Sequence, residues 1–425
     1  MNILQIIHCF PPESMTGSEI YVYNLAKELS KNHTVNVFYR INNRKYKEYE
    51  IIEGTYNSVN VYKINSTLER YFSLNDIYNN VYIEDKFCKI LDKIKPDIVH
   101  IHHLLSLSTG IVSQIKKRGI PVVFTLHDYW LICPKGQLLK PNLTLCEQPF
   151  YSNCFYCLEK SLNPNNIIKK LRNFRFKNNF LGRSRNLLEK IFKDIDLFIA
   201  PSNFIRNKFI KFGMPEEKII YSDNGMDLSL FKDIAKSKAD IIRFGFIGTI
   251  IPSKGLHVLL KAFNRIKNAR VVLRIYGKSL MTNWIFNYYH RILRAAGRNK
   301  SIKFMGTFDN KDVGRIFKEI DVLIFASLWQ ENSPLVLHEA ILTNTPVIAS
   351  DIGGVNEFIN HHNGVLFKAG DAKDLQKKME HIIKNPWDTE NLKNNMPKVK
   401  SIKDNAEELE VIYNRLLKSK KGLVK

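Results

Sequence analysis

The sequence predicts an α/β protein made of two successive doubly wound units, each a parallel sheet with helices on its faces. Three observations carry this. The chain has 425 residues, too many for one ordinary core. Short apolar runs that read as buried strands alternate throughout with amphipathic segments that read as helices. A turn-rich stretch, Asp223-Asn224-Gly225-Met226-Asp227, interrupts the alternation midway and reads as a hinge. The expected domains are therefore 1–224 and 225–401, with 402–425 as a C-terminal helix that could belong to either domain, including by packing back on the first.

In the first half, strands are expected near 2–8, 34–40, 97–103, 121–126, 196–200 and 219–222, and helices near 18–31, 81–94, 108–118 and 202–212. In the second half, strands are expected near 242–247, 270–276, 301–305, 321–326, 346–349 and 365–367. Helices there are expected near 255–267, 286–296, 311–319, 333–343, 354–360 and 371–384, and Ile402 to Lys418 is helical by periodicity. Connections between parallel strands are right-handed crossovers, and open α/β sheets bind ligands outside the carboxyl ends of their strands. Two such domains facing each other would leave a cleft there, and the loops at those strand ends would converge on it.

The composition, 44% hydrophobic and 25% charged, is that of a soluble globular protein. No run approaches the ~18 apolar residues of a membrane span. The start, Met1 to Phe10, runs into a strand without the pattern of a signal peptide, so a cytoplasmic protein is expected. The net charge of +23 calls for an acidic partner: nucleic acid, an anionic membrane or a phosphorylated substrate. Between Ile167 and Lys193 nine basic residues face one acid, Glu189, with Leu, Ile and Phe interleaved. Segment 167–193 reads as a basic amphipathic stretch that lies on an anionic membrane, giving peripheral attachment at the inner face. A solvated helix face in a Lys-rich chain has the same composition. No recognition helix, zinc finger or RNA-binding signature is present, so nucleic acid is not an expected partner.

Four cysteines cluster as Cys133-x12-Cys146-x7-Cys154-x2-Cys157, a spacing compatible with a structural tetrahedral zinc or with an irregular loop of free thiols. Cys9 and Cys88 sit in apolar contexts and read as small core residues.

The most informative stretch is Glu331-Asn332-Ser333-Pro334-Leu335-Val336-Leu337-His338-Glu339-Ala340. It comes after the apolar run Val322-Leu323-Ile324-Phe325-Ala326, which reads as a buried strand. It opens a helix with Ser333 as N-cap and Pro334 at the first helical position. One acid, Glu331, sits before the helix; Glu339 lies roughly 8 Å along it at 1.5 Å per residue. A helix N-terminus binds phosphate, and flanking carboxylates accept from sugar hydroxyls. The pattern suits a sugar–diphosphate–nucleoside, with sugar at one end and ribose at the other.

The turn Gly248-Thr249-Ile250-Ile251-Pro252-Ser253-Lys254-Gly255 joins a strand to a helix. Gly248 would admit a ligand to the backbone, and Lys254 could face a leaving diphosphate. Gly17, with Ser18 as N-cap, forms a second phosphate-tolerant turn between the first strand and helix. His127 ends a strand in Thr125-Leu126-His127-Asp128, where it could donate to a sugar hydroxyl, assist proton traffic or be structural. His100, His102 and His103 read as loop residues on the acceptor side. Gly353 and Gly354 would let the backbone approach a ligand or pack against the sheet. Asp194 and Asp196 precede a strand, so they point away from the ligand edge and are not read as a metal site.

Together these residues resemble the retaining glycosyltransferases of family 4, which have the GT-B fold. The matching features are Glu331-x7-Glu339, Lys254-Gly255, the Gly17 loop, His127, Asn224-Gly225 and Asp351-Ile352-Gly353-Gly354. The stretch His127 to Gln137, with its later cysteines, is similar to a bacterial surface-glycan subgroup. The resemblance implies a UDP- or GDP-linked sugar donor bound mainly by the second domain. It implies a saccharide or lipid-linked saccharide acceptor bound by the first, and no metal for catalysis. Glu331 would hold the donor sugar, Glu339 the ribose and Lys254 the diphosphate. Gly17 would approach the phosphates and His127 the donor sugar. Gly248, Asn332, Ser333, Leu335 and Val336 complete the implied donor-binding set, with Glu331, His127 and Lys254 in catalytic roles.

Two departures matter. The family commonly has Arg after the Gly248 turn's glycine, whereas this chain has Thr249; Arg243 or Lys278 would have to supply that charge. Pro334 removes one backbone donor at the sugar-binding helix start. The competing expectations are a non-catalytic nucleotide-sugar-binding or membrane-scaffold protein and a GT-B sugar-nucleotide epimerase.

Overall fold

The computed structural model describes the chain except for residues 68–77, 148–153, 155–156, 159–188, 233, 235, 237–239, 280–282 and 423–425. The basic segment 167–193 therefore lies outside the described residues, save for 189–193. Two compact units emerge, one of Met1–Gly136, Pro149–Met226 and Lys400–Lys425, the other of Gln137–Gln148 and Asp227–Val399.

In the first unit, β1 (Asn2–Ile7), β2 (Thr34–Ile41), β3 (Ile51–Tyr56), β4 (Val59–Asn65), β5 (Ile98–Ile101), β6 (Val122–Thr125), β7 (Leu197–Ala200) and β8 (Ile219–Tyr221) form one sheet. Its order is β3-β4-β2-β1-β5-β6-β7-β8, parallel throughout except for the β3–β4 hairpin. That hairpin was not expected from the sequence. Its edge strand is largely exposed, with no buried apolar run, and its turn is Asn57-Ser58, both at positive φ, without the usual glycine. The central strands read easily because burial on both faces makes them continuously apolar; Ile3, Leu4, Ile6 and Ile7 are fully buried.

The second unit's sheet comprises β9 (Ile242–Ile247), β10 (Val271–Tyr276), β11 (Ile302–Gly306), β12 (Val322–Phe325), β13 (Val347–Asp351) and β14 (Gly364–Lys368), in the order β11-β10-β9-β12-β13-β14. All its pairs are parallel. The chain runs outward from β9 to one side and then crosses to β12 on the other. The β9 and β12 loops therefore flank the topological switch point, where ligands bind in such sheets. In the first unit the same logic selects the loops after β1 and β5.

The C-terminal helix, Ile402–Gly422, belongs to the first unit and packs on the Gly17–Leu29 helix, where Tyr21 Oη donates to Asn405 Oδ1 at 2.8 Å. Gly225 lies against its start: a Cβ there would come within 2.7 Å of Ser401 O. The expected helix at 354–360 is instead a short 3-10 turn, Gly353–Glu357. Among the described residues no helix is long and apolar enough to cross a membrane.

Candidate active site

Both candidate acids of the second unit sit on the chain that leaves β12. Lys254 Nζ lies 2.6 Å from Glu331 Oε1, and Ser327 Oγ donates to the same oxygen at 2.8 Å. Glu331 is only 4% exposed, so this ion pair is shielded from water on the carboxylate side. The Lys254 ammonium also lies 5.6 Å from the centre of the Trp329 ring. The two turns are tied together by backbone, with Leu328 N–H donating to Ser253 O at 2.7 Å. Glu331 and Lys254, 77 residues apart, are thus brought into direct contact.

The paired glycines after β13 explain why Glu331 holds its place. Gly354 N–H donates to Glu331 O at 2.7 Å. Gly353 has φ +62°, and a Cβ there would lie 2.5 Å from Glu331 O and 2.7 Å from Glu331 N. The glycine is needed for close backbone packing on the acid's own peptide. Gly353→Ala is expected to displace Glu331 and lower the catalysed rate roughly 10²-fold, the usual cost of an ångström-scale misplacement. Steady-state kcat/KM checks this.

The helix itself spans Leu335–Leu342, and its N-terminal boundary differs from expectation. Pro334, at ψ 117°, is the N-cap and not the first helical residue. Ser333 does not cap the helix: its hydroxyl is 2.9 Å from Nε2 of buried His338. That bond straps the turn to the helix interior, a role the expected N-cap would not have. Asn332 and Ser333 are buried. Among the described residues, no acceptor is bonded to the Leu335 or Val336 N–H groups, and both residues are half-buried. They are two of the donors that a helix start leaves open.

Glu339 is half-buried on this helix, and among the described residues its carboxyl has no hydrogen-bond or ionic partner. Burial pushes its pKa up to about 7. A carboxyl partly removed from water without a partner is destabilising, and such groups cluster where ligands bind. Gly248 lies at the end of β9 with φ +154°, and a Cβ there would meet nothing closer than the Phe246 ring at 4.0 Å. Space is open above this turn, as close ligand approach requires.

Arg243 cannot replace the missing Arg at 249. It lies at the opposite end of β9, where its guanidinium grips Asp321 at 2.7 and 2.9 Å. Lys278 is placed differently: it is exposed, and its carbonyl accepts from Ile250 N–H at 2.9 Å beside the Gly248 turn. Asp196 is structural, holding Lys116 Nζ at 2.7 Å and the Val122 N–H at 2.7 Å. Of the four clustered cysteines, Cys133 and Cys154 are buried and Cys146 and Cys157 half-buried. Cys146 belongs to the second unit while the other three belong to the first. Among the described residues no three His, Cys, Asp or Glu side chains are placed to share a metal ion.

The first unit carries a polar cluster of its own after β1, β5 and β6. Gly17 is the exposed first residue of the Gly17–Leu29 helix, but the N-cap is Thr16, not Ser18. The hydroxyls of Thr16, Ser18 and Ser14 all turn to Glu19, which is 2% exposed and also lies 3.3 Å from His8 Nε2. Burial alone would raise the Glu19 carboxyl, but hydrogen bonds from His8 and Thr16 outweigh it and bring it to about 2. Glu19 was not singled out from the sequence, although Thr16-x-x-Glu19 has the spacing of a capping box. His127 is half-buried at the end of β6, with Nε2 3.1 Å from His102 Nδ1. Burial, aided by His103, lowers its pKa to about 3, so the ring is neutral. His103 Nε2 in turn lies 3.3 Å from Asp128 Oδ2.

Residues 15–230 match the profile of Glycosyltransferase Family 4, and residues 230–399 match that of glycosyl transferases group 1. The chain belongs to glycosyltransferase family 4. This glycosyltransferase is 25% identical over 370 residues to an uncharacterized 42.6 kDa protein in the cps region of Klebsiella pneumoniae, covering 84% of this chain and 87% of the relative. It is 27% identical over 258 residues to CapM of Staphylococcus aureus, a capsular polysaccharide biosynthesis glycosyltransferase, covering 56% and 66% of the two. Its fold is GT-B. Sucrose-phosphate synthase from Thermosynechococcus elongatus superposes with TM-score 0.72 at 17% identity, covering 98% of this glycosyltransferase and 99% of the synthase. Anabaena HepE, solved with UDP and glucose, superposes with TM-score 0.64 at 17% identity and covers 99% of each chain.

Proposed function

We propose that this chain moves a sugar from a nucleotide-sugar donor to a saccharide or lipid-linked saccharide acceptor in cell-surface polysaccharide synthesis, with retention of anomeric configuration. The observation that carries the reading is the constellation at the second unit's switch point. One helix start has open Leu335 and Val336 N–H groups, Lys254 and Glu331 lie on one side of it, and the unpartnered carboxyl of Glu339 lies along the helix. Donors and a cation suit a diphosphate, whereas carboxylates suit hydroxyls. In this reading Glu339 accepts from the ribose, Glu331 from the donor sugar, and Lys254 with the helix start stabilises the departing diphosphate. The leaving phosphate takes the proton of the acceptor hydroxyl as that oxygen attacks from the same face, so no protein base or metal is needed. Gly17 approaches the phosphates, and His127 hydrogen-bonds the sugar.

The capsule-related relatives support a surface-glycan acceptor, and the UDP complexes of HepE make UDP the first nucleotide to try. Incubation of the purified chain with UDP-glucose and oligosaccharide acceptors is expected to release UDP in an acceptor-dependent manner, with an α-linked product by NMR and no turnover in Glu331→Ala. Nucleotide binding without acceptor-dependent turnover across UDP-, GDP- and ADP-sugars would favour the scaffold reading. A new sugar nucleotide formed without acceptor would indicate an epimerase. The charge of 167–193 supports attachment to an anionic leaflet; equal pelleting with neutral and anionic vesicles would refute that part.

A further inference from the structure

His100, His102 and His127 stand in file after β5 and β6. Both nitrogens of His100 are occupied, Nδ1 by Tyr413 Oη at 2.6 Å and Nε2 by Thr125 Oγ1 at 2.7 Å. His102 packs on the His100 ring at 4.1 Å and is fully buried. Its Nδ1 lies 3.1 Å from His127 Nε2, with the two ring planes 26° apart. Its other nitrogen, Nε2, is buried and has no partner. His127 Nδ1 is not among the buried atoms, and no residue of the described chain is bonded to it. It is the atom that His127 offers to a ligand.

Burial holds both rings neutral at pH 7, so each carries one proton and one proton lies between them. Two arrangements are possible. If His102 donates, its buried Nε2 is a bare lone pair and His127 must carry its proton on the open Nδ1. If His127 donates, the His102 proton sits on Nε2 as a buried N–H with no acceptor. Orphaned buried N–H groups are the rarer and costlier of the two. Around His127, Asp128 and Glu19 favour a charged ring whereas His103 and His8 oppose it, so the choice of arrangement rests on the buried Nε2 of His102. Tyr21 presents only its ring, in an edge-on contact at 5.4 Å.

We infer that His102 is a positioning residue: by donating Nδ1–H to His127 Nε2, it holds His127 in the tautomer whose open Nδ1 carries a proton. His127 is then a fixed hydrogen-bond donor to a sugar or phosphate oxygen, not a base that removes a proton from the acceptor. This rests on His127 facing the substrate, as proposed above, and it selects one of the two roles a histidine at that place could have.

The test uses the full chain with ¹⁵N-labelled histidine and long-range ¹H–¹⁵N correlation spectra, with His127→Ala to assign the resonance. The wild type is expected to show His127 protonated on Nδ1 at pH 7. His102→Phe keeps the ring and removes the donor, so it is expected to give a tautomer mixture. UDP-glucose turnover should fall about tenfold, short of the ~10²-fold loss when a transition-state donor is removed outright. His102→Gln, whose amide can donate, is expected to restore part of both signals. A wild-type spectrum with the proton on Nε2, or an unchanged tautomer in a folded His102→Phe chain, overturns the inference. If His102→Phe does not fold, the wild-type spectrum alone decides. Full turnover in His127→Ala would instead sink the substrate-facing role of His127, whatever the tautomer.

Discussion

Glu331→Gln is expected to bind UDP about tenfold more tightly than the wild type while losing ~10²–10³ of its turnover. In the proposed reading the lysine that would meet the diphosphate is paired with the carboxylate that would meet the sugar, Lys254 Nζ to Glu331 Oε1 at 2.6 Å. A diphosphate that recruits Lys254 competes with Glu331 for its ammonium. A charge-assisted hydrogen bond contributes ~1.5–3 kcal/mol, and each 1.4 kcal/mol is a factor of ten in affinity. The amide keeps the shape but not the charge, so it surrenders the lysine more readily. With a complete nucleotide sugar, the exchange is balanced: Lys254 turns to phosphate as Glu331 turns to sugar hydroxyls. Glutamine makes the second contact weakly, and transfer suffers. Calorimetry with UDP, beside turnover of UDP-glucose, reads both effects. Unchanged or weaker UDP binding in Glu331→Gln would mean that the pair does not compete with the nucleotide for Lys254.

Glu339→Gln is expected to be more stable than the wild type at pH 8 and about equal to it near pH 5. The Glu339 carboxyl rises from its ordinary value of 4.5 to about 7 in the folded chain because burial disfavours its charge. Between these values the folded state binds more protons than the unfolded one, so stability falls as pH rises from 4.5 to about 7 and stays lower above. The full shift corresponds to about 3–4 kcal/mol, an upper figure that solvent screening reduces for a side chain that is half-buried. Glutamine carries no charge to desolvate and removes the penalty. A gain of about 1–2 kcal/mol corresponds to roughly 2–8 °C in Tm for a unit of this size. Thermal melts of both proteins at pH 5 and pH 8 check this. A variant less stable than the wild type at both pH values would show that the carboxyl has a stabilising partner in the folded chain. A group that weakens the fold and yet fits hydroxyl recognition is what a stability–function trade-off looks like at a binding site.

Much of the fold was legible because its central strands are buried on both faces. Runs such as Val322-Leu323-Ile324-Phe325 leave little alternative to a parallel strand, and the acids Glu331 and Glu339 could be placed on the loop and helix leaving that strand. The exposed β3 edge strand and its glycine-free Asn57-Ser58 turn carry no comparable signal. What the site does with its residues was less legible, because the partners are far apart in the chain. The Lys254–Glu331 pair spans 77 residues, and the His100–Tyr413 bond spans 313. Ser333 looked like an N-cap because its neighbours fit that role; a histidine five residues on captured the hydroxyl instead. Arg243 looked available as a substitute cation until strand direction put it at the far end of β9, against Asp321. Residues 137–148 belong to the second unit although they interrupt the sequence of the first, an excursion that no local pattern announces.

The claim on which the rest depends is that the second unit holds a nucleotide through Lys254, Glu339 and the Leu335 helix start. Calorimetric titration of UDP, GDP and ADP into the purified chain, beside Glu339→Ala, tests it most directly. Micromolar binding of one nucleotide, weakened at least tenfold in Glu339→Ala, is the expected result and would also name the donor class. Binding of equal strength in Glu339→Ala, or no binding of any of the three, would contradict the assignment of this site.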